Sequence, residues 1–143
     1  MFMRIKGEGF SEYVYKEIMN ITDHSILYIN DVKYDSGNKI VYLSIERYPF
    51  MKMKKKLLGI IETPMYDRKL RIRSSVVIKQ VSNCKIENNY GNKVSETIIG
   101  GGIVVRDHKI FVSSQDDLHG KLFYFIEIDL SAVDITISDL GDE

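Results

Sequence analysis

Residues 25–46 read Ser25-Ile26-Leu27-Tyr28-Ile29-Asn30-Asp31-Val32-Lys33-Tyr34-Asp35-Ser36-Gly37-Asn38-Lys39-Ile40-Val41-Tyr42-Leu43-Ser44-Ile45-Glu46, and the way these side chains segregate by odd and even position decides the fold. A backbone whose every second side chain shares a face is a β-strand. Ile26, Tyr28, Val32 and Tyr34 take one parity, interrupted by Asn30, and Asp31, Lys33 and Asp35 take the other. Val41, Leu43 and Ile45 then alternate with Tyr42, Ser44 and Glu46. Between the runs, residues 35–39 supply a polar turn in which Gly37 or Asn38 can adopt positive φ. The stretch predicts a β-hairpin.

The same period recurs outward from that hairpin. Leu70, Ile72, Val76 and Ile78 alternate with Arg71, Arg73, Ser75 and Lys79, in a strand that extends towards Ile86. Thr97 to Val105 reads as a strand broken by Gly100-Gly101-Gly102, and residues 106–109 turn it back into Ile110 to Ser113. Leu122, Tyr124, Ile126, Ile128 and Leu130 form one face of a long strand, and Val133, Ile135 and Ile137 the inner face of a last one. Strands of this length with turns between them predict a mainly β domain over residues 1–143, an antiparallel sandwich or partly open barrel of about 7–9 strands. Two segments depart from the pattern. Phe10, Val14, Ile18 and Ile21 fall at helical spacing after Ser11, so residues 10–21 read as one short helix or, with Tyr13 and Tyr15 favouring β, as a further strand. Residues 49–58 carry a weaker helical stripe and read rather as loop or strand.

Composition narrows the class. The 143 residues are 44% hydrophobic and 28% charged, enough for a hydrophobic core without disulfides or metal. The lone Cys84 cannot form an internal disulfide, the N-terminal residues lack an apolar signal-peptide core, and no apolar run is long enough to cross a bilayer as a helix. A cytoplasmic location is the expectation.

Charge is balanced at zero overall but not evenly spread. Residues 47–73 carry a net +7, from Arg47, Lys52, Lys54, Lys55, Lys56, Arg68, Lys69, Arg71 and Arg73 against Glu62 and Asp67, whereas residues 110–143 carry −7. A basic run with tyrosines among it suits an anionic ligand such as a nucleotide or nucleic acid, with Arg47, Lys52, Lys54, Lys55, Lys56, Arg68, Arg71 and Arg73 as its contacts. Pairing of the two charged ends within the fold is the plainer expectation.

Other candidate chemistry is sparse. Cys84 lies in a predicted strand, away from any catalytic signature, and reads as a half-buried structural thiol. Asp116, Asp117 and His119 gather metal-binding side chains in one loop, the basis for a metal-dependent enzyme, yet sequence spacing supplies no further ligand. The three glycines precede Ile103-Val104-Val105 rather than Lys-Ser/Thr and a helix, so they mark a sheet kink or a close backbone approach and not a phosphate cradle. No catalytic residue, cofactor or metal is assigned from sequence. The leading expectation is a non-enzymatic binding or protein-interaction module, with an unidentified protein or a second copy of the chain as partner. Anion binding through residues 47–73 and metal-dependent catalysis at residues 116–119 are the alternatives.

Overall fold

The computed structural model describes residues 2–6, 12–47, 50–52, 64–66, 71–115 and 122–140. In chain order the elements are β1 (Phe2–Lys6), α1 (Glu12–Thr22), β2 (Ile26–Tyr28), β3 (Lys33–Asp35), β4 (Ile40–Arg47), β5 (Phe50–Lys52), β6 (Pro64–Tyr66), β7 (Ile72–Ile78), β8 (Val81–Asn88), β9 (Glu96–Ile98), β10 (Val104–Arg106), β11 (Lys109–Gln115), β12 (Leu122–Leu130) and β13 (Asp134–Asp139). A seven-stranded sheet runs β1-β13-β7-β4-β2-β9 with β3 also on β4, a four-stranded sheet runs β10-β11-β12-β8, and β5 pairs with β6. Every pairing is antiparallel. The expected mainly β architecture is the one observed: among the described residues, two main antiparallel sheets and one α-helix, sandwich-like and not closed into a barrel.

The two sheets are one ribbon bent in the middle. Only Lys79 and Gln80 separate β7 from β8, and only Ser131–Val133 separate β12 from β13. Ile78 faces Ile135 across the larger sheet, whereas Val81 faces Leu130 across the smaller. The strand expected to run from Leu70 towards Ile86 therefore turns a corner. Gln80 takes a positive φ of 58°, which ends extended backbone. Hydrogen bonds from Lys79 N–H to the Asp134 carbonyl (2.8 Å) and from Ser131 N–H to the Gln80 carbonyl (2.9 Å) lock both strands at the bend.

The hairpin that decides the fold forms, with two local differences. Leu27 and Ile29 are buried while Ile26 and Tyr28 are half-buried, the reverse of the parity expected there. Opposed residues of an antiparallel pair share a face, and Leu27 lies opposite Ile45 of the buried β4 face. A 3-10 turn at Ile29–Asp31 then shifts the parity, so that Tyr34 opposes Val41. This division, with others like it, lifts the strand number above the expected seven to nine. In the connecting turn the positive φ falls on Lys39 (58°), not on Gly37 or Asn38. Asn38 instead donates from its backbone (3.1 Å) and its side chain (2.8 Å) to Asp35, holding that carboxyl below its usual range through the side-chain bond first.

Of the two readings of residues 10–21, the helix is the one that forms, as α1, although Phe10 and Ser11 lie outside the described residues. Ile18 and Ile21 of its stripe enter a core built from Val41, Leu43, Ile45, Val76, Ile78, Ile135 and Ile137 of the larger sheet and Ile110, Val112, Ile126 and Ile128 of the smaller. The helix ends against the glycine run. Thr22 Oγ1 donates back to the Ile18 carbonyl (2.6 Å) and accepts from Ile103 N–H (2.8 Å), and Asp23 Oδ1 accepts from Gly101 N–H (2.8 Å). Gly102 has φ of 71°, and a Cβ there would collide with the Met19 carbonyl and lie 2.6 Å from Thr22 Oγ1. A close backbone approach, as read from the sequence, accounts for that glycine. Of residues 49–58, Phe50–Lys52 form strand, and residues 49 and 53–58 lie outside the described part.

Candidate functional site

Arg47, the first of the basic candidates, continues the inward parity of Val41, Leu43 and Ile45, and its side chain is 2% exposed. It forms a two-pronged ion pair with Asp139, from Nε to Oδ1 (3.2 Å) and from Nη2 to Oδ2 (2.6 Å), and Ser74 Oγ donates to Asp139 Oδ1 (2.7 Å). Burial pushes the Asp139 carboxyl up, but its hydrogen bonds, those from Arg47 and Ser74 among them, together with the guanidinium charge outweigh it and hold the group below its usual range. Here one residue of the basic run meets one of the acidic C-terminal run.

Arg71 and Arg73 are exposed. Arg73 faces Glu46 across the β4–β7 pair, lies over the Tyr28 ring with its guanidinium carbon 4.2 Å from the centroid, and pairs with Asp31 at 3.2 Å. Tyr28 donates to Glu46 (2.5 Å), a bond that with partial burial raises the phenol's pKa. The cation is thus set among two carboxylates. Lys52 lies on β5, whereas Lys54, Lys55, Lys56 and Arg68 lie outside the described residues, as do Asp116, Asp117 and His119. Among the described residues no group of three or more His, Cys, Asp or Glu side chains is placed to hold a metal.

A cavity of about 430 Å³ opens where the two sheets meet a second time, opposite the bent ribbon, lined by His24, Tyr90, Thr97, Ile98, Gly100, Ser113 and Ser114. Its position follows from unequal strand lengths. Strand β10 covers one edge of β11 only as far as Phe111, and beyond it that edge turns towards β9, where Gly100 N–H bonds the Ser113 carbonyl (3.1 Å). Thr97 of β9 and Ser114 of β11 are both buried and bond each other through their hydroxyls. Tyr90 closes the triangle, with its hydroxyl 3.2 Å from Thr97 Oγ1 and 3.1 Å from Ser114 Oγ. A loop bond from Tyr90 N–H to Asn88 Oδ1 (3.0 Å) and stacking on Phe123 at 4.8 Å position that ring.

Proton counting defines what this triangle offers. Three hydroxyls have three protons, and a ring of three hydrogen bonds uses them all. Each oxygen keeps acceptor capacity, so the cluster presents acceptors to the cavity. At the rim, the His24 imidazole is 71% exposed and holds Asp23 Oδ1 at 2.9 Å through Nδ1. The sequence signal for this site was faint, because Thr97 and Ser114 occupy inward strand positions where an apolar residue is usual. Cys84, by contrast, is half-buried as expected, and burial raises its thiol pKa, away from nucleophilic thiolate. Comparison with protein-family models, curated proteins and solved structures finds no match to this chain.

Proposed function

We propose that the chain is a non-enzymatic binding module that takes a small polar, hydrogen-bond-donating ligand in the seam between β9 and β11. The observation that carries this reading is the closed hydroxyl triangle of Tyr90, Thr97 and Ser114 on the wall of a ligand-sized cavity. Those hydroxyls bond one another rather than an imidazole or carboxylate, so none is set up as a nucleophile. Their free lone pairs suit amides, ureas or polyols better than phosphates, which need donors or cations.

The test is a two-dimensional NMR titration with small amides and polyols in one series and inorganic polyphosphate in another. Amide shifts from the first series should cluster at Tyr90, Thr97, Gly100 and Ser114 and vanish in Thr97→Val. Shifts confined to Arg71 and Arg73 on adding polyphosphate, with the seam silent in both series, would replace this reading by anion binding.

A further inference from the structure

Among the described residues, strand β8 ends the four-stranded sheet and forms a ladder with β12 alone, although its first residue also donates from Val81 N–H to the Lys39 carbonyl (3.0 Å). Its backbone alternation is set by the bond from Asn89 N–H to the Phe123 carbonyl. Antiparallel ladders alternate strictly, so Glu87, Lys85 and Asn83 turn their backbone groups to β12, and Asn88, Ile86 and Cys84 turn theirs outward. Side chains alternate too. Lys85 and Glu87, opposite Glu127 and Phe125, stand on the outer face and pair with each other at 3.2 Å. Ile86, opposite Ile126, shares the inner face but is 43% exposed.

We propose that β8 pairs with β8 of a second copy about a two-fold axis centred on Ile86, joining two four-stranded sheets into one. An antiparallel pairing requires outward backbone groups to oppose outward ones, so a β8 pair centred on a residue must match positions of equal parity. Centring on Lys85 sets two lysines opposite each other, and centring on Glu87 sets two glutamates; like charges in directly opposed positions destabilise a sheet. Centring on Cys84 leaves Lys85 opposite Asn83. Centring on Ile86 matches Lys85 with the second copy's Glu87 twice, places each Lys85 between Glu127 of its own β12 and that carboxylate, and covers both exposed Ile86 side chains. The strand is self-complementary in charge, polarity and backbone direction in this register alone. A lysine on an exposed edge ordinarily guards against pairing; here a glutamate two residues on converts it into a selector of register. This inference is independent of the seam cavity.

Sedimentation of the full chain across a concentration series tests it. The native chain should show a monomer–dimer equilibrium. Lys85→Glu and Glu87→Lys should each raise the dimer Kd about tenfold or more, since each creates two like-charged pairs. The double variant Lys85→Glu/Glu87→Lys should return it to within about threefold of the native value. A native chain that sediments as a monomer at millimolar concentration, or a double variant no better than the singles, overturns the proposal. Crosslinking supplies a second readout. Oxidised Ile86→Cys in a Cys84→Ser background should form a covalent dimer, because opposed residues at about 5.5 Å meet disulfide geometry. The native Cys84 thiols, about 14 Å apart along the pair, should not. The reverse pattern excludes this register.

Discussion

At the scale of single residues, the most consequential group is the ion pair inside the larger sheet. Arg47 and Asp139 are each 2% exposed at the side chain, so each charge depends on protein partners rather than on water, Arg47 and Ser74 among those of Asp139. Removing one partner strands the other, and Asp139→Ala should lower unfolding free energy by about 3–5 kcal/mol in urea denaturation. Arg47→Met combined with Asp139→Leu should cost less than either single change, since two buried charges leave together. The same pair fixes a pH dependence. Asp139 has a depressed pKa in the folded state, so its contribution is fully present above the ordinary carboxylate value near 3.9 and is lost as pH falls through the lower folded value. Urea midpoints measured from neutral to strongly acidic pH should fall in that window for the native chain, with a smaller fall for Asp139→Asn. The pair was legible in advance: Arg47, Ser74 and Asp139 each continue the inward parity of a strand that the sequence marks. A count of basic residues along the chain hid it, because charge suggested solvent while position dictated the interior.

Secondary-structure elements turn on a few backbone angles. Strands β10 and β11 are joined by Asp107 and His108 alone, with φ of 49° and 61°, the type I′ geometry that matches strand twist. A side chain resists positive φ, so His108→Gly should raise stability by about 0.5–1 kcal/mol in thermal unfolding. The glycine run gives the opposite case. Gly102→Ala drives a Cβ into the end of α1 at a positive φ and should cost about 2–4 kcal/mol, whereas Gly100→Ala meets nothing within 4 Å and should change stability by less than about 1 kcal/mol. Comparing the two melting curves separates a helix-docking role from a general demand for flexible chain. Element type was readable at this scale, but the corner at Gln80 was not, because no residue in Ile78-Lys79-Gln80-Val81 is one that ordinarily supplies a turn.

Across the whole molecule, a strongly knit bend and a weakly knit seam oppose each other. The β7–β13 and β8–β12 ladders run through the bend with bonds on both strands, while Gly100 N–H to Ser113 and the three hydroxyls hold the seam. Opening should therefore begin at the seam. Hydrogen exchange should release the Gly100 amide well before those of Val76 and Ile137, and Tyr90→Phe should hasten Gly100 exchange while lowering overall stability by about 1 kcal/mol. Equal protection at both places would show that the molecule opens only as one unit.

Side-chain periodicity alone determined that this chain is mainly β and which faces of β4, β7, β12 and β13 are apolar; it left residues 10–21 open between helix and strand, and the glycine run between a sheet kink and a close backbone approach. Period two is a local property, written into each strand by burial of one face. Tertiary structure decided which strands share a sheet, the bend at Gln80, the parity switch at Ile29–Asp31, and the meeting of Tyr90, Thr97 and Ser114. Those features arise only when segments distant in the chain come together, and their energies depend on partners that local sequence does not name. A hydroxyl on an inward strand position acquires its meaning from the hydroxyl it faces.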